Sequence, residues 1–276
     1  MSGSGQVAGV GPRAVADEPG AAHDPAVGAD PIQAPGTDER DWAAWPGLAK
    51  LAPCPLTRLR SVVVLAAHPD DEILGFGGAL ALLSAAGVRL RIGVATDGEA
   101  SHPGSRTLSP ARLAARRRQE DAASLARLGL GAARIDRFDL PDGGLTARQR
   151  DLDAAVGRLL AEADQTDVCV APWQADVHPD HESVGRAALR VGAELGVPVW
   201  QYPVWTWHWA RPGDPRVPWR RARRIDLPAW AVAAKREAVD CHLSQIKPLS
   251  SAAEDAAILP AGDLDHFRRD FEVVLV

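Results

Sequence analysis

Short apolar runs alternate along this chain with longer segments of helical pattern. The apolar runs lie at 61–67 (SVVVLAA), 89–96, 134–140 and 167–173, and the helical segments at 77–87, 109–129, 146–163 and 181–196. Strands that alternate with helices form parallel sheets covered on both faces. We therefore predict an α/β fold, a three-layer Rossmann-like and mostly parallel sheet with helices on both faces.

The first forty residues have a different composition. Residues 1–40 are rich in Gly, Ala, Pro and Asp and contain almost no large apolar residue. Such a segment buries too little apolar surface to offset the entropy lost on ordering. We predict a disordered N-terminal tail at 1–40 and a single domain at 41–276.

Composition restricts the partners that we expect. The net charge of −5 gives no reason to expect nucleic acid, and no apolar run approaches the roughly 20 residues of a membrane span. The N-terminus lacks the cationic start and apolar stretch of a signal peptide. Cys54, Cys169 and Cys241 are odd in number and lack C-x-x-C spacing, which indicates small buried residues. We expect a cytoplasmic protein whose partner is a small molecule.

Clusters of polar residues directly follow three of the predicted strands. These clusters are His68-Pro69-Asp70-Asp71-Glu72, then Asp97-Gly98-Glu99, and finally His178-Pro179-Asp180-His181. The carboxyl ends of parallel strands meet at one edge of a sheet, where ligands bind in such folds. The sequence therefore predicts one functional site built from all three clusters.

His68, Asp71 and His181 can supply two nitrogen ligands and one oxygen ligand to a metal ion. Three protein ligands with an open fourth position are typical of catalytic zinc. The alternative for His68 and Asp71 is that they only cap the following helix, since its dipole favours acids at the N-terminus.

The neighbouring residues suggest further roles, each with an alternative. Asp70 can take a proton from metal-bound water as a general base. His178 can stabilise an oxyanion or protonate a leaving group, or it can be a partly exposed loop histidine. Asp180 can be the N-cap of the following helix, or it can orient a neighbouring imidazole from the second shell of the metal.

Together, AAHPDDE at 66–72 and HPDH at 178–181 resemble the PIG-L (LmbE-like) family of N-deacetylases. The similarity extends to Arg117-Arg118-Gln119-Glu120 with Leu128-Gly129 downstream, to Leu140-Pro141-Asp142-Gly143-Gly144 and to Lys235 with His242-Leu243-Ser244-Gln245. It covers roughly residues 60 to 250. The pair of histidine motifs at this separation is specific, whereas each of the other segments alone is weak.

The resemblance implies a zinc-dependent hydrolase that removes the N-acetyl or N-acyl group from an N-acetylglucosamine-type amino-sugar conjugate. It implies His68, Asp71 and His181 as the ligands of Zn²⁺, with Fe²⁺ as the alternative ion. Asp70 corresponds to the general base and His178 to the oxyanion-stabilising or acid histidine.

The same resemblance gives weaker assignments for the substrate pocket. Arg117 matches a substrate-contacting arginine, although the run Arg116 to Arg118 could equally be a solvated helix face. Asp97 and His242 could line the pocket, and packing or turn formation are the alternatives.

Three rival interpretations concern the same residues. A dinucleotide site fails, because Leu80 breaks the glycine spacing and three acids occupy the position of the pyrophosphate. A non-haem iron oxygenase could use the same two histidines and one carboxylate, but it leaves Asp70 and His178 without a role. The third is a non-catalytic, metal-stabilised sugar-binding protein, against which an intact base and oxyanion histidine argue.

The stretch 200–224 combines five tryptophans with six arginines. Aromatic walls suit sugar faces, but burial in the core or at a subunit interface is the alternative. The stretch therefore leaves a homo-oligomer open.

Overall fold

The computed structural model describes residues 31–163 and 165–276. Within them an eight-stranded sheet has the order β1-β7-β8-β6-β5-β2-β3-β4. The strands are β1 (Ala52–Pro53), β2 (Ser61–Ala66), β3 (Arg89–Val94), β4 (Arg134–Arg137), β5 (Val168–Pro172), β6 (Val199–Tyr202), β7 (Ala222–Asp226) and β8 (Phe271–Leu275). Only β8 runs antiparallel to its neighbours β6 and β7 among these strands. The predicted mostly parallel sheet is confirmed.

Ten α-helices lie in the described part of the chain. They are α1 (Glu39–Ala44), α2 (Pro46–Ala49), α3 (Asp71–Ala85), α4 (Pro110–Arg127), α5 (Gln149–Glu162), α6 (Pro179–Leu195), α7 (Thr206–Trp209), α8 (Ala229–Val239), α9 (Leu243–Ile246) and α10 (Ala261–Leu264). None of them is both long enough and apolar enough to cross a membrane.

The central strand β2 supplies side chains to both faces of the sheet. Val62 and Val64 pack into a core with residues of α3, α4 and α8. Val63 and Leu65 point the opposite way, into a second core formed with α5 and α6. This alternation follows from the two-residue period of a strand. It confirms the predicted arrangement of three layers.

Helix α3 begins six residues earlier than predicted. The sequence pattern predicted a helix at 77–87, but the helix begins at Asp71 inside the acidic motif. Glycines at 75 and 78 allow close packing of the helix. A Cβ on Gly75 would lie 2.1 Å from Tyr202 Cδ2, and one on Gly78 would lie 2.3 Å from Leu227 Cδ1.

We expect Gly75→Ala to lower the free energy of unfolding by about 1–3 kcal/mol, the usual cost of overpacking. The Tyr202 ring cannot easily move away, because it is fully buried and its hydroxyl donates to Leu65 O at 2.7 Å. Chemical denaturation measures the effect. Gly157→Ala is the matched control, since the nearest atom to its Cβ is 3.9 Å away in another helix. Equal stability of the two variants would contradict the prediction.

Residues 31–40 of the predicted tail lie within the described part of the chain. Residues 1–30 of the predicted tail lie outside the described residues. Thr37, however, is buried, and it donates from its backbone N–H to His208 O and from Oγ1 to Ala210 O. Asp38 caps α1 by accepting from Arg40 N. Thr37 and Asp38 thus make specific hydrogen bonds, although their segment contains few apolar residues.

Candidate metal centre

The site lies at the carboxyl ends of β2 and β5, which are neighbours in the sheet. From β2 the chain continues into β3 on one side, and β5 lies on the other side. Such a change of direction opens a crevice at the carboxyl ends of the strands. The loop after β2 and the start of α3 place His68, Asp70 and Asp71 there, and the loop after β5 and the start of α6 place His178 and His181 there. The structure therefore brings the two histidine motifs together.

The three predicted metal ligands contact one another through a single carboxylate. Asp71 Oδ1 lies 3.0 Å from His181 Nε2, and Asp71 Oδ2 lies 3.5 Å from His68 Nδ1. Asp71 Oδ2 also accepts from the backbone N–H groups of Ala67 and His68. These amides precede the helix, so the carboxylate does not cap the free amides of α3. The alternative of simple capping receives no support from these contacts.

Carboxylates hold the outer ring nitrogens of both imidazoles. His181 Nδ1 donates to Asp176 Oδ2 at 2.8 Å. His68 Nε2 lies 3.1 Å from Asp142 Oδ1 and 3.4 Å from Asp180 Oδ2. Metal-binding histidines are oriented in this way, with the outer N–H on a carboxylate and the inner nitrogen free to coordinate.

The charge of the cluster also suits a cation. Burial opposes the charged form of His181, yet Asp71 and Asp176 raise its pKa to about 9. Burial also acts on Asp71, but the two imidazoles hold its pKa well below the usual value. Positive charge between these groups is thus favourable, and a divalent ion can supply it. The residues fit a site of two nitrogens and one oxygen.

Asp70 lies beside the three ligands and contacts Arg117. Its φ of 142° is unusual for a residue other than glycine, and its side chain makes no helix-capping hydrogen bond. Burial raises the pKa of the Asp70 carboxyl to about 7, while the Arg117 guanidinium, 3.1 Å away, acts in the opposite direction. A strained carboxyl that titrates near neutrality is suited to proton transfer.

Arg117 is buried, whereas Arg116 and Arg118 leave 40% and 45% of their side chains exposed. Its guanidinium donates to Gly98 O and Pro69 O, each at 3.0 Å. The solvated helix face that the arginine run allowed therefore applies to its neighbours and not to Arg117.

His178 lies against both predicted imidazole ligands. Its ring centroid is 4.8 Å from that of His68 and 4.8 Å from that of His181. Burial, helped by the charges of the two neighbouring imidazoles, lowers its pKa to about 3, so the ring is neutral. His178 Nδ1 accepts from Asp180 N at 3.3 Å, which leaves the ring hydrogen on Nε2. His178, and not Asp180, is the N-cap of α6.

Asp180 contacts His68 and the loop after β4. Its two oxygens accept from Gly143 N at 2.7 Å and Leu145 N at 3.1 Å. These contacts and the approach to His68 are those of a group that orients an imidazole. The predicted N-cap alternative is wrong, because the side chain bonds to another loop.

The remaining predicted pocket residues differ in their surroundings. Asp97 pairs with Arg118 and Arg137, and these ion pairs account for its position without a ligand. His242 is buried, and neither of its ring nitrogens has a hydrogen-bond partner among the described residues. A role of either residue in a pocket stays a prediction.

The contacts of Asp176 and Asp142 with the imidazoles were not predicted from the sequence. Asp176 is fully buried, and its carboxylate accepts hydrogen bonds from five donors. One donor is His181 Nδ1. The others lie at and just before the start of α7, and they are Val204 N, Trp205 N, Thr206 N and Thr206 Oγ1. The position of Asp176 two residues before HPDH was the available signal. Asp142 lies in the LPDGG segment at 140–144, on the loop after β4.

We expect Asp176→Asn to weaken zinc binding by about 10- to 100-fold, the usual effect of losing an outer-shell partner. The side-chain NH₂ of the asparagine would face the N–H groups that now donate to the Asp176 carboxylate. Competition with a chromogenic chelator measures the affinity. Asp153→Asn is the matched control, because Asp153 pairs with Arg190 near the surface. Unchanged zinc affinity in Asp176→Asn would show that Asp176 only braces the fold.

Four of the tryptophans pack against one another. Trp42, Trp45, Trp207 and Trp219 form a cluster of edge-to-face and tilted rings. Trp42 Nε1 donates to Trp207 O at 2.9 Å. Burial in the core is therefore the outcome for Trp207.

Part of the chain matches a known family. The sequence pattern of the family described as PIG-L, GlcNAc-PI de-N-acetylase, matches residues 63–191. This range includes the predicted ligands and also Asp70, Arg117, Asp176 and His178.

Several solved structures have a similar fold. N,N'-diacetylchitobiose deacetylase from Pyrococcus horikoshii superposes with a TM-score of 0.55 and 23% identity, over 70% of this chain and 73% of that one. The zinc-inhibited form of teicoplanin deacetylase superposes with a TM-score of 0.57 and 19% identity, over 78% of this chain and 97% of that one. The A40926 pseudoaglycone deacetylase superposes with a TM-score of 0.54 and 21% identity, over 78% of this chain and 96% of that one. At these identities the similarity establishes the fold.

Proposed function

We propose that this chain, which belongs to the PIG-L family through residues 63–191, is a metal-dependent hydrolase. Its reaction removes the N-acyl group from an N-acetylglucosamine-type conjugate. The observation that carries the proposal is the geometry of the two imidazoles. Their inner nitrogens face the Asp71 carboxylate, while their outer nitrogens contact other carboxylates.

His68, Asp71 and His181 would hold the ion. We propose Zn²⁺, and Fe²⁺ accepts the same donors. When bound, the ion supplies a Lewis acid that polarises the acyl carbonyl and lowers the pKa of water. Asp142, Asp176 and Asp180 keep the imidazoles in orientation.

Asp70 and His178 would carry the proton transfer and the charge stabilisation. Asp70 removes a proton as the water oxygen bonds to the carbonyl carbon. His178 Nε2–H donates to the carbonyl oxygen while negative charge develops on it. The proton held by Asp70 then passes to the amide nitrogen as the C–N bond breaks. The products are the free amine of the sugar and a carboxylic acid.

Arg117 would position Asp70. Its guanidinium holds both the backbone at Pro69 and the carboxylate of Asp70. It thereby fixes a loop whose φ at Asp70 is unfavourable for an aspartate.

The substrate class rests on the relatives. The family is described by its action on a GlcNAc-containing compound, and one similar structure is a deacetylase of N,N'-diacetylchitobiose. Amino-sugar amides are therefore the first compounds to test.

The test is a release assay with the zinc-loaded full chain and a panel of N-acetylglucosaminides that differ in aglycone. We expect at least one compound to give primary amine and acetate in equal amounts. An oxygen electrode run in parallel separates hydrolysis from oxygenation. Oxygen consumption, or no release from any member of the panel, would contradict the proposal.

A further inference from the structure

His242 is a buried imidazole with no partner in the described part of the chain. It is 2% exposed, and neither ring nitrogen makes a hydrogen bond to a described residue. Burial, with the Arg117 charge acting the same way, lowers its pKa to about 3, so the ring is neutral. A buried polar group without a partner is costly. Both nitrogens are therefore free for a ligand.

Helix α4 links Arg117 to the segment that follows His242, and the Arg117 charge acts on the His242 ring. Arg117 and Glu120 are three residues apart and share one face of the helix. The Glu120 carboxylate accepts from Ser244 N at 2.9 Å and from Ser244 Oγ at 2.6 Å. These two bonds fix the first turn of α9, which begins directly after His242. One helix face thus positions both side chains.

The charges around Arg117 and His242 indicate which groups the two side chains can bind. Arg117 already faces the Asp70 carboxylate, 3.1 Å away, and its Nη1 and Nη2 atoms donate to backbone carbonyls. Its Nε is buried and has no partner among the described residues. A phosphate or carboxylate here would meet the charges of Asp70 and Asp71. A neutral hydroxyl can accept from Arg117 Nε–H and exchange a hydrogen bond with His242.

We propose that His242, together with the Nε edge of Arg117, binds a hydroxyl group of the amino-sugar ring and selects substrates that carry it. The inference rests on the proposed function, because it identifies a specificity contact for that substrate. Glu120 and Ser244 act as positioning residues for this contact.

The test combines a variant with substrate analogues. The values of kcat/KM are measured for wild type and His242→Phe on a hydrolysed N-acetylglucosaminide and on its 3-deoxy, 4-deoxy and 6-deoxy forms. For one deoxy form we expect a loss of about 10- to 100-fold in wild type, because the imidazole is left unpaired. In His242→Phe we expect kcat/KM for the parent compound to fall by a similar factor. Removal of the same hydroxyl from the substrate should then lower kcat/KM of the variant by less than about 2-fold.

Control measurements separate binding from folding. Leu243→Phe places the same side chain at the neighbouring position, which is 41% exposed, and should behave as wild type. Metal content should be one ion per chain in every variant. If His242→Phe does not fold, His242→Gln replaces it, and it should retain part of the discrimination through its amide.

Two results would overturn the inference. One is equal rates of wild type on all deoxy forms. The other is the same loss for each deoxy form in wild type and in the variant. Wild-type hydrolysis with either result leaves the proposed function intact, whereas no hydrolysis of any N-acetylglucosaminide removes both.

Discussion

Asp70→Asn should lower kcat by about 10²- to 10⁴-fold, the usual contribution of a positioned general base. The amide keeps the shape of the side chain but cannot accept the proton of the attacking water. The bound metal should remain, because Asp71 and the two imidazoles are unchanged. Rates of amine release and metal content by mass spectrometry test both parts.

Asp151→Asn is the matched control for this prediction. Asp151 is on α5 and pairs with Arg148, and more than half of each side chain is exposed. The control should retain the wild-type rate. A rate in Asp70→Asn that equals that of the control would exclude Asp70 as the base.

Asp71→Asn should produce the opposite pattern, a loss of the metal that added zinc partly reverses. The amide nitrogen cannot coordinate as the carboxylate does, so zinc affinity should fall by more than the about 10- to 100-fold expected for an outer-shell partner. Chelator competition measures the affinity, and rates with and without excess zinc measure the rescue. If Asp71→Asn keeps its ion while Asp70→Asn loses it, the two assignments are reversed.

The alternation of strands and helices was predictable because buried parallel strands are continuous apolar runs. The late strands were not, since β7 reads ARRID and resembles a polar surface segment. Its Arg224 lies 3.7 Å above the Phe271 ring and pairs with Asp226. Those partners come from β8 and from the end of β7. A strand of this kind is recognised only when the neighbouring strand is known.

The site was predictable where consecutive residues follow a strand, as in HPDDE and HPDH. Asp142 escaped assignment because its partner His68 is distant in sequence. Asp176 lies only five residues before His181, but its other partners, at 204–206, are distant. Asp142 reaches His68 from the loop after β4, and Asp176 joins His181 to the backbone at 204–206. An isolated aspartate in a loop does not indicate contacts with residues so distant in sequence.

The most direct test of metal-dependent deacylation is a zinc titration of the metal-free full chain on a responsive N-acetylglucosaminide. The proposed site predicts no amine release without metal and a rate that rises with added zinc to a plateau at one ion per chain. Full activity of the metal-free protein, or a plateau rate unchanged by His181→Ala, would contradict it.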